Sequence, residues 1–95
     1  MKSYAVSPEV RSIVTPTGIT LVDVISGEIL QADWLGCLVW LGLAEHRSIE
    51  DIVQGIASLH SLPADSIKHD VEEFIRKLAE SSLVSGETQE SVPLH

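Results

Sequence analysis

The side chains in this sequence that could do chemistry are few and badly placed for it. One cysteine, Cys37, stands between Gly36 and Leu38 in the most apolar stretch of the chain. A thiol buried there is shut away from substrate, so the sequence gives Cys37 a packing role. The histidines His46, His60, His69 and His95 form no i, i+4 pair, and one cysteine is too few to complete a metal shell with them. His69 is next to Asp70, but adjacent residues on a helix do not face each other. Glu72, Glu73 and Glu80 read as one solvated helix face. Two catalytic carboxylates need a cleft that drives their acidities apart, and no pattern here predicts one. The glycines are scattered and build no phosphate-cradling loop. The expectation is a protein without enzymatic activity, metal or cofactor.

Composition narrows the partners. The net charge is -8, with 14 acidic and 6 basic residues. Nucleic acid and anionic membrane surfaces repel such a chain, because both are bound largely through Lys and Arg. A cationic peptide would be attracted, within the roughly 10 Å that salt leaves unscreened. Aromatic residues are only 4% of the chain, too few for a base-stacking platform, whereas a hydrophobic fraction of 44% is ample for a folded core. A lone cysteine forms no internal disulfide, which agrees with a reducing cytoplasm. No secretion signal follows Met1, and the apolar run Trp34–Ala44 has 11 residues where a membrane span needs about 20.

Ninety-five residues make one domain with a modest core. Residues 1–9 read as a flexible arm and 85–95 as a flexible tail, with the domain between, at 10–84. Val10–Val14 is a short β-rich run, Thr15-Pro16-Thr17-Gly18 has turn chemistry, and Ile19–Ile25 is dense in β-branched residues. After Ser26-Gly27 a third strand covers Glu28–Ala32, completing an antiparallel meander. The middle strand is expected to turn Val22 and Val24 inward, since the other register carries Asp23 into the core.

Asp33 is an N-cap for a helix over Trp34–Ala44 that is apolar nearly all round, and such a helix is expected to be buried. Gly36 and Gly42 cost it helix propensity and so predict close packing. Ser48-Ile49-Glu50-Asp51 approximates a capping box, with Asp51 in place of the usual Glu. The helix from Ile49 to about His60 carries Ile52, Val53, Ile56 and Leu59 on one face. A third helix, from about Ala64 to Ser81, carries Ile67, Val71, Phe74, Ile75 and Leu78. Leu83-Val84 is expected to return under the core. The fold class is α+β: a three-stranded antiparallel sheet followed by three helices.

A meander leaves its last strand at an edge, and an open edge is either covered or used. The third strand has no Pro and no Lys to blunt it. Two readings stand at this point. The edge is covered by the N-terminal arm or by a second copy, or it accepts an extended partner chain by strand addition beside the third helix.

The order of motifs resembles the PqqD-like proteins, the precursor-peptide recognition elements of ribosomal peptide biosynthesis. Leu21-Val22-Asp23-Val24 with Ser26-Gly27-Glu28 is similar to the family's "LLD…TG". Asp33, Gly36, Val39-Trp40 and Leu43 follow "N-x-x-G-x-x-I-W-x-x-L", and Ser48–Ile52 follows "T-x-E-E-I". Asp70–Ile75, Leu78 and Ser82-Leu83-Val84 follow "D-V-x-x-F-L-x-x-L-x-x-x-G-L-V". The likeness spans Val10 to Val84. It departs at Ala32-Asp33 for Leu-Asn, at Leu35 for Ser or Thr, and at Ser82 for Gly.

This resemblance implies a winged-helix-like domain that binds a leader peptide between the third strand and the third helix. Glu28, Ile29, Leu30 and Gln31 would supply the backbone ladder. Asp70, Val71, Phe74, Lys77 and Leu78, chosen by periodicity on the helix, would line the pocket. A free-standing chain of this length resembles the lasso-peptide version. It implies as partners a precursor leader, often with a Tyr-x-x-Pro pattern, a cysteine-protease-like leader peptidase and an asparagine-synthetase-like cyclase. A PqqD-type peptide chaperone for a radical enzyme is the near alternative. Two rivals of other classes remain. An acyl carrier protein is suggested by Asp65-Ser66-Ile67, with Ser66 as attachment site, and a winged-helix DNA binder by the related fold.

Overall fold

The structure, a computed structural model, describes residues 3–88. The central sheet is the expected meander: β2 (Val10–Thr15), β3 (Gly18–Asp23) and β4 (Ile29–Asp33), antiparallel throughout, in the order β2-β3-β4. Three helices follow, α1 (Trp34–Ala44), α2 (Ile49–His60) and α3 (Ala64–Glu80). The α+β class and the order of elements agree with the sequence.

Helix starts follow their capping residues. Asp33 Oδ1 accepts the Gly36 N–H at 3.1 Å and Ser48 Oγ accepts the Asp51 N–H at 3.1 Å, each satisfying a donor that the first helical turn leaves free. The glycines of α1 mark close contacts. A Cβ on Gly42 would stand 2.7 Å from Ile52 of α2, and one on Gly36 would stand 2.5 Å from the Cβ of Ala32. The core joins Ile19 and Leu21 of the sheet to Val39 and Leu43 of α1, Ile52 and Ile56 of α2, and Val71, Ile75 and Leu78 of α3. Leu83 and Val84 return beneath it, fully buried.

Four expectations need correcting. The segment read as a loose arm forms strand β1 (Ser3–Val6), paired antiparallel with β5 (Val84–Thr88), a strand that takes up the first residues of the supposed tail. Residues 1–2 and 89–95 lie outside the described residues. The register of β3 is the opposite of that expected. Ile19 and Leu21 point inward, Val22 is half-buried and Val24 is exposed. Asp23 is tolerated on the inner face because it sits at the end of the strand. Its Oδ1 accepts the N–H groups of Ile25 (2.9 Å) and Ser26 (3.1 Å), so the carboxylate is not left bare but organises the β3–β4 turn. The helix α1 is not wholly buried, since Trp34 and Leu41 are exposed. Leu59 leaves the buried stripe of α2, and Ala57 takes its place.

Candidate peptide-binding groove

The strand β1 could have covered β4. It pairs with β5 instead, so β4 hydrogen-bonds to β3 on one side and, among the described residues, has no strand on the other. The direction of each β4 backbone group follows from one bond. The Asp23 N–H donates to the Glu28 carbonyl at 2.9 Å, which makes Asp23–Glu28 a hydrogen-bonded pair. Bonding and non-bonding pairs alternate along an antiparallel ladder. Leu30 and Ala32 therefore turn their N–H and C=O toward β3, where Leu21 and Ile19 are their partners. Ile29 and Gln31 turn theirs to the open side.

Side chains alternate the other way. Leu30 and Ala32 are half-buried beneath the sheet, while Ile29 and Gln31 are exposed. Between this edge and α3 lies a groove of about 500 Å³, lined by Thr17, Leu30, Gln31, Ala32, Asp33, Phe74 and Lys77. Its floor rests on the absence of a side chain. A Cβ on Gly36 would meet Ala32 at 2.5 Å and the Phe74 ring at 3.0 Å, so glycine lets the ring lie close over the start of α1. Phe74 is half-buried, with one part packed on the core and the rest toward the groove. The polar rim carries one carboxylate, Asp33, already engaged as N-cap, and one ammonium, Lys77.

The residues singled out from sequence divide as follows. Leu30, Gln31, Phe74 and Lys77 come together in the groove. Ile29 contributes backbone from outside it. Glu28 precedes the strand, and both its backbone groups are already engaged, the N–H with Ser26 Oγ at 3.2 Å and the carbonyl with Asp23. Val71 and Leu78 are fully buried core residues that no partner can touch without disrupting the packing. Asp70 is exposed and is not part of the groove lining. Thr17, Ala32, Asp33 and Gly36 were not foreseen. Among the described residues no cluster of His, Cys, Asp or Glu could hold a metal ion, and no helix is long and apolar enough to cross a membrane. Ser66 lies exposed on the first turn of α3, in a fold whose three-stranded sheet has no counterpart in an all-helical carrier.

The family model for coenzyme PQQ synthesis protein D (PqqD) matches residues 18–84. No curated protein matches the chain in sequence. Two solved structures match in fold. TbiB1 in complex with the TbiA(beta) leader peptide superposes with a TM-score of 0.79 at 26% identity, over 90% of this chain and 99% of that one. A lasso peptide synthetase B1 complexed with the leader peptide superposes with a TM-score of 0.78, over 88% and 99%; at 23% identity it speaks for the fold alone.

Proposed function

This chain belongs to the PqqD family, and we propose that it is a non-catalytic adaptor that captures the leader of a ribosomally made precursor peptide by strand addition to β4. The observation that carries the reading is the unpaired outer side of β4 facing a groove walled by Phe74. The likeness to TbiB1, seen in complex with a leader peptide, supports it. In this reading the adaptor acts in the cytoplasm of a lasso-type pathway, presenting the precursor to a leader peptidase and a cyclase.

Magnitudes set what the groove must do. Ile29 and Gln31 together offer four outward backbone groups, each contributing about 0.5–1.5 kcal/mol when bonded. One side chain buried between Leu30, Ala32 and Phe74 adds about 1.5–3 kcal/mol. Micromolar affinity needs about 8 kcal/mol net, after an association cost of at least about 4 kcal/mol. The ladder therefore sets register and direction, and apolar anchors on the peptide supply much of the affinity.

Amide exchange tests the reading residue by residue. When the cognate precursor is added, the Ile29 and Gln31 N–H groups should become protected. Those of Leu30 and Ala32, already turned to β3, should change little. Exchange at Ile29 and Gln31 that stays fast in a saturated complex would remove strand addition from the mechanism.

A further inference from the structure

A second hollow lies at the opposite side of the β2–β3 turn, about 300 Å³ in volume, with walls from Val14, Trp34, Cys37, Leu38 and Leu59. None of its lining residues carries a carboxylate or an ammonium group, on a chain of net charge -8. Three of the apolar walls stand in solvent: Trp34 is 44% exposed, Val14 62% and Leu59 70%. The Trp34 ring is held at its place by the His60 ring, with centroids 4.6 Å apart and planes inclined at 47°.

The hollow adjoins the groove at the β2–β3 turn. Thr17 lines both, and Asp33 on the groove is followed by Trp34 on the hollow. A chain lying along β4 and leaving at its Asp33 end thus meets Thr17 and then Trp34. Every strand pair among the described residues is antiparallel, the arrangement that pairs best per residue. A partner antiparallel to β4 has its N-terminal side at Asp33. From this adjacency, and resting on the leader-binding reading, we infer that the hollow is a second subsite for the same peptide. It takes a large apolar side chain from the stretch N-terminal to the part that pairs with β4. The volume is at the lower limit of pockets that hold small molecules, about 300 Å³, and so suits one or two side chains rather than a folded partner.

The test uses the full chain and a display library of random linear peptides long enough to fill both hollows. Enriched peptides should share a large apolar residue at constant spacing on the N-terminal side of the segment that protects Ile29 and Gln31. Trp34→Ser and Leu59→Ser should each weaken such a peptide by about tenfold. Replacing its N-terminal apolar residue by serine should weaken wild-type binding equally and add nothing to either variant. Leu59 is too exposed for its loss to unfold the protein, and thermal melts check Trp34→Ser. Enriched peptides that bind both variants as tightly as wild type, or whose apolar anchor lies C-terminal to the paired segment, overturn the second subsite and leave strand addition standing. A wild-type dimer that Leu59→Ser dissociates without changing peptide affinity also overturns it, giving the hollow to a second copy. Peptides that bind without protecting Ile29 and Gln31, or a library yielding no binder, overturn both readings.

Discussion

Among the described residues the sheet has two open edges, and a helix walls a groove along only one of them. Along β2 the Val24 N–H donates to the Glu9 carbonyl at 3.0 Å, so by alternation Val10, Ser12 and Val14 turn their backbone groups outward, much as Ile29 and Gln31 do on β4. Neither edge carries a proline or a lysine. They differ in what stands beside them. Along β4 the helix α3 sets Phe74 and Lys77 across a groove, and Ala32 and Gly36 keep its floor low. Along β2 Ile13 and Val14 are exposed on opposite faces. Unpaired backbone is common to both, so backbone alone does not make a binding site. A partner strand on β4 buries side chains against a helix, whereas along β2 the apolar hollow is confined to the Val14 end.

The largest expected effect separates the two edges directly. In Gln31→Pro an outward N–H is lost and a ring is placed in the path of the incoming strand, at an edge position where proline is otherwise tolerated. Peptide affinity should fall about 10- to 100-fold. The matching change on the other edge, Ser12→Pro, should leave affinity within about twofold. Titration calorimetry on both variants decides it. Equal losses would mean that binding does not choose between edges, and the comparison would fail.

A smaller effect separates groove from core on a single helix. Phe74 and Leu78 are one turn apart on α3, the first half-buried at the groove and the second fully buried. Leu78→Ala should cost about 2–5 kcal/mol of stability, and the fraction that remains folded should bind peptide normally. Phe74→Ala should cost less stability, about 1–3 kcal/mol, since part of its ring is already in the groove, yet weaken binding about tenfold. Denaturant melts paired with binding at a temperature where both variants are folded measure the two effects. Binding that merely follows stability in both would return Phe74 to the core.

Much of this contrast was legible in the sequence. Turn residues, the caps Asp33 and Ser48, and the stripe of α3 gave the order of elements and put the third strand at an edge. Phe74 and Lys77 followed from periodicity. The same periodicity also drew in Val71 and Leu78, because spacing names the side of a helix and not the depth to which each residue sinks. Gly36 was read as a mark of close packing, but neither it nor Ala32 was tied to the groove, because both act there by lacking atoms and no pattern of hydrophobicity records a gap. The pairing of β1 with β5 joins the two ends of the chain, and short strands that far apart carry no local signal. The register of β3 misled because both of its faces are apolar. Asp23 looked costly inside only while its two backbone donors, Ile25 and Ser26, were out of view.

The smallest expected effect concerns the far end of α3 and sharpens what belongs to the groove. Among the described residues Ser82 is one of three non-glycine residues with positive φ, at 59°, and it follows the helix whose last turns carry Lys77. The Leu83 N–H donates to the Leu78 carbonyl at 2.9 Å and the Ser82 N–H to that of Ala79 at 3.1 Å, with Leu78 and Leu83 both buried. That is the pair of bonds with which helices end on a left-handed residue, a position that favours glycine. Serine there bears a Cβ penalty of about 1–2 kcal/mol, offset in part by the greater freedom glycine has when unfolded. Ser82→Gly should therefore stabilise the protein by about 1 kcal/mol, a rise in Tm of about 4–8 °C for a domain of this size. Because this stop holds α3 against Leu83 and not against β4, peptide affinity should stay within about twofold of wild type. A stabilised variant with altered affinity would mean that the position of α3, and with it the width of the groove, is set from the helix end rather than by the seat of Phe74 on Gly36.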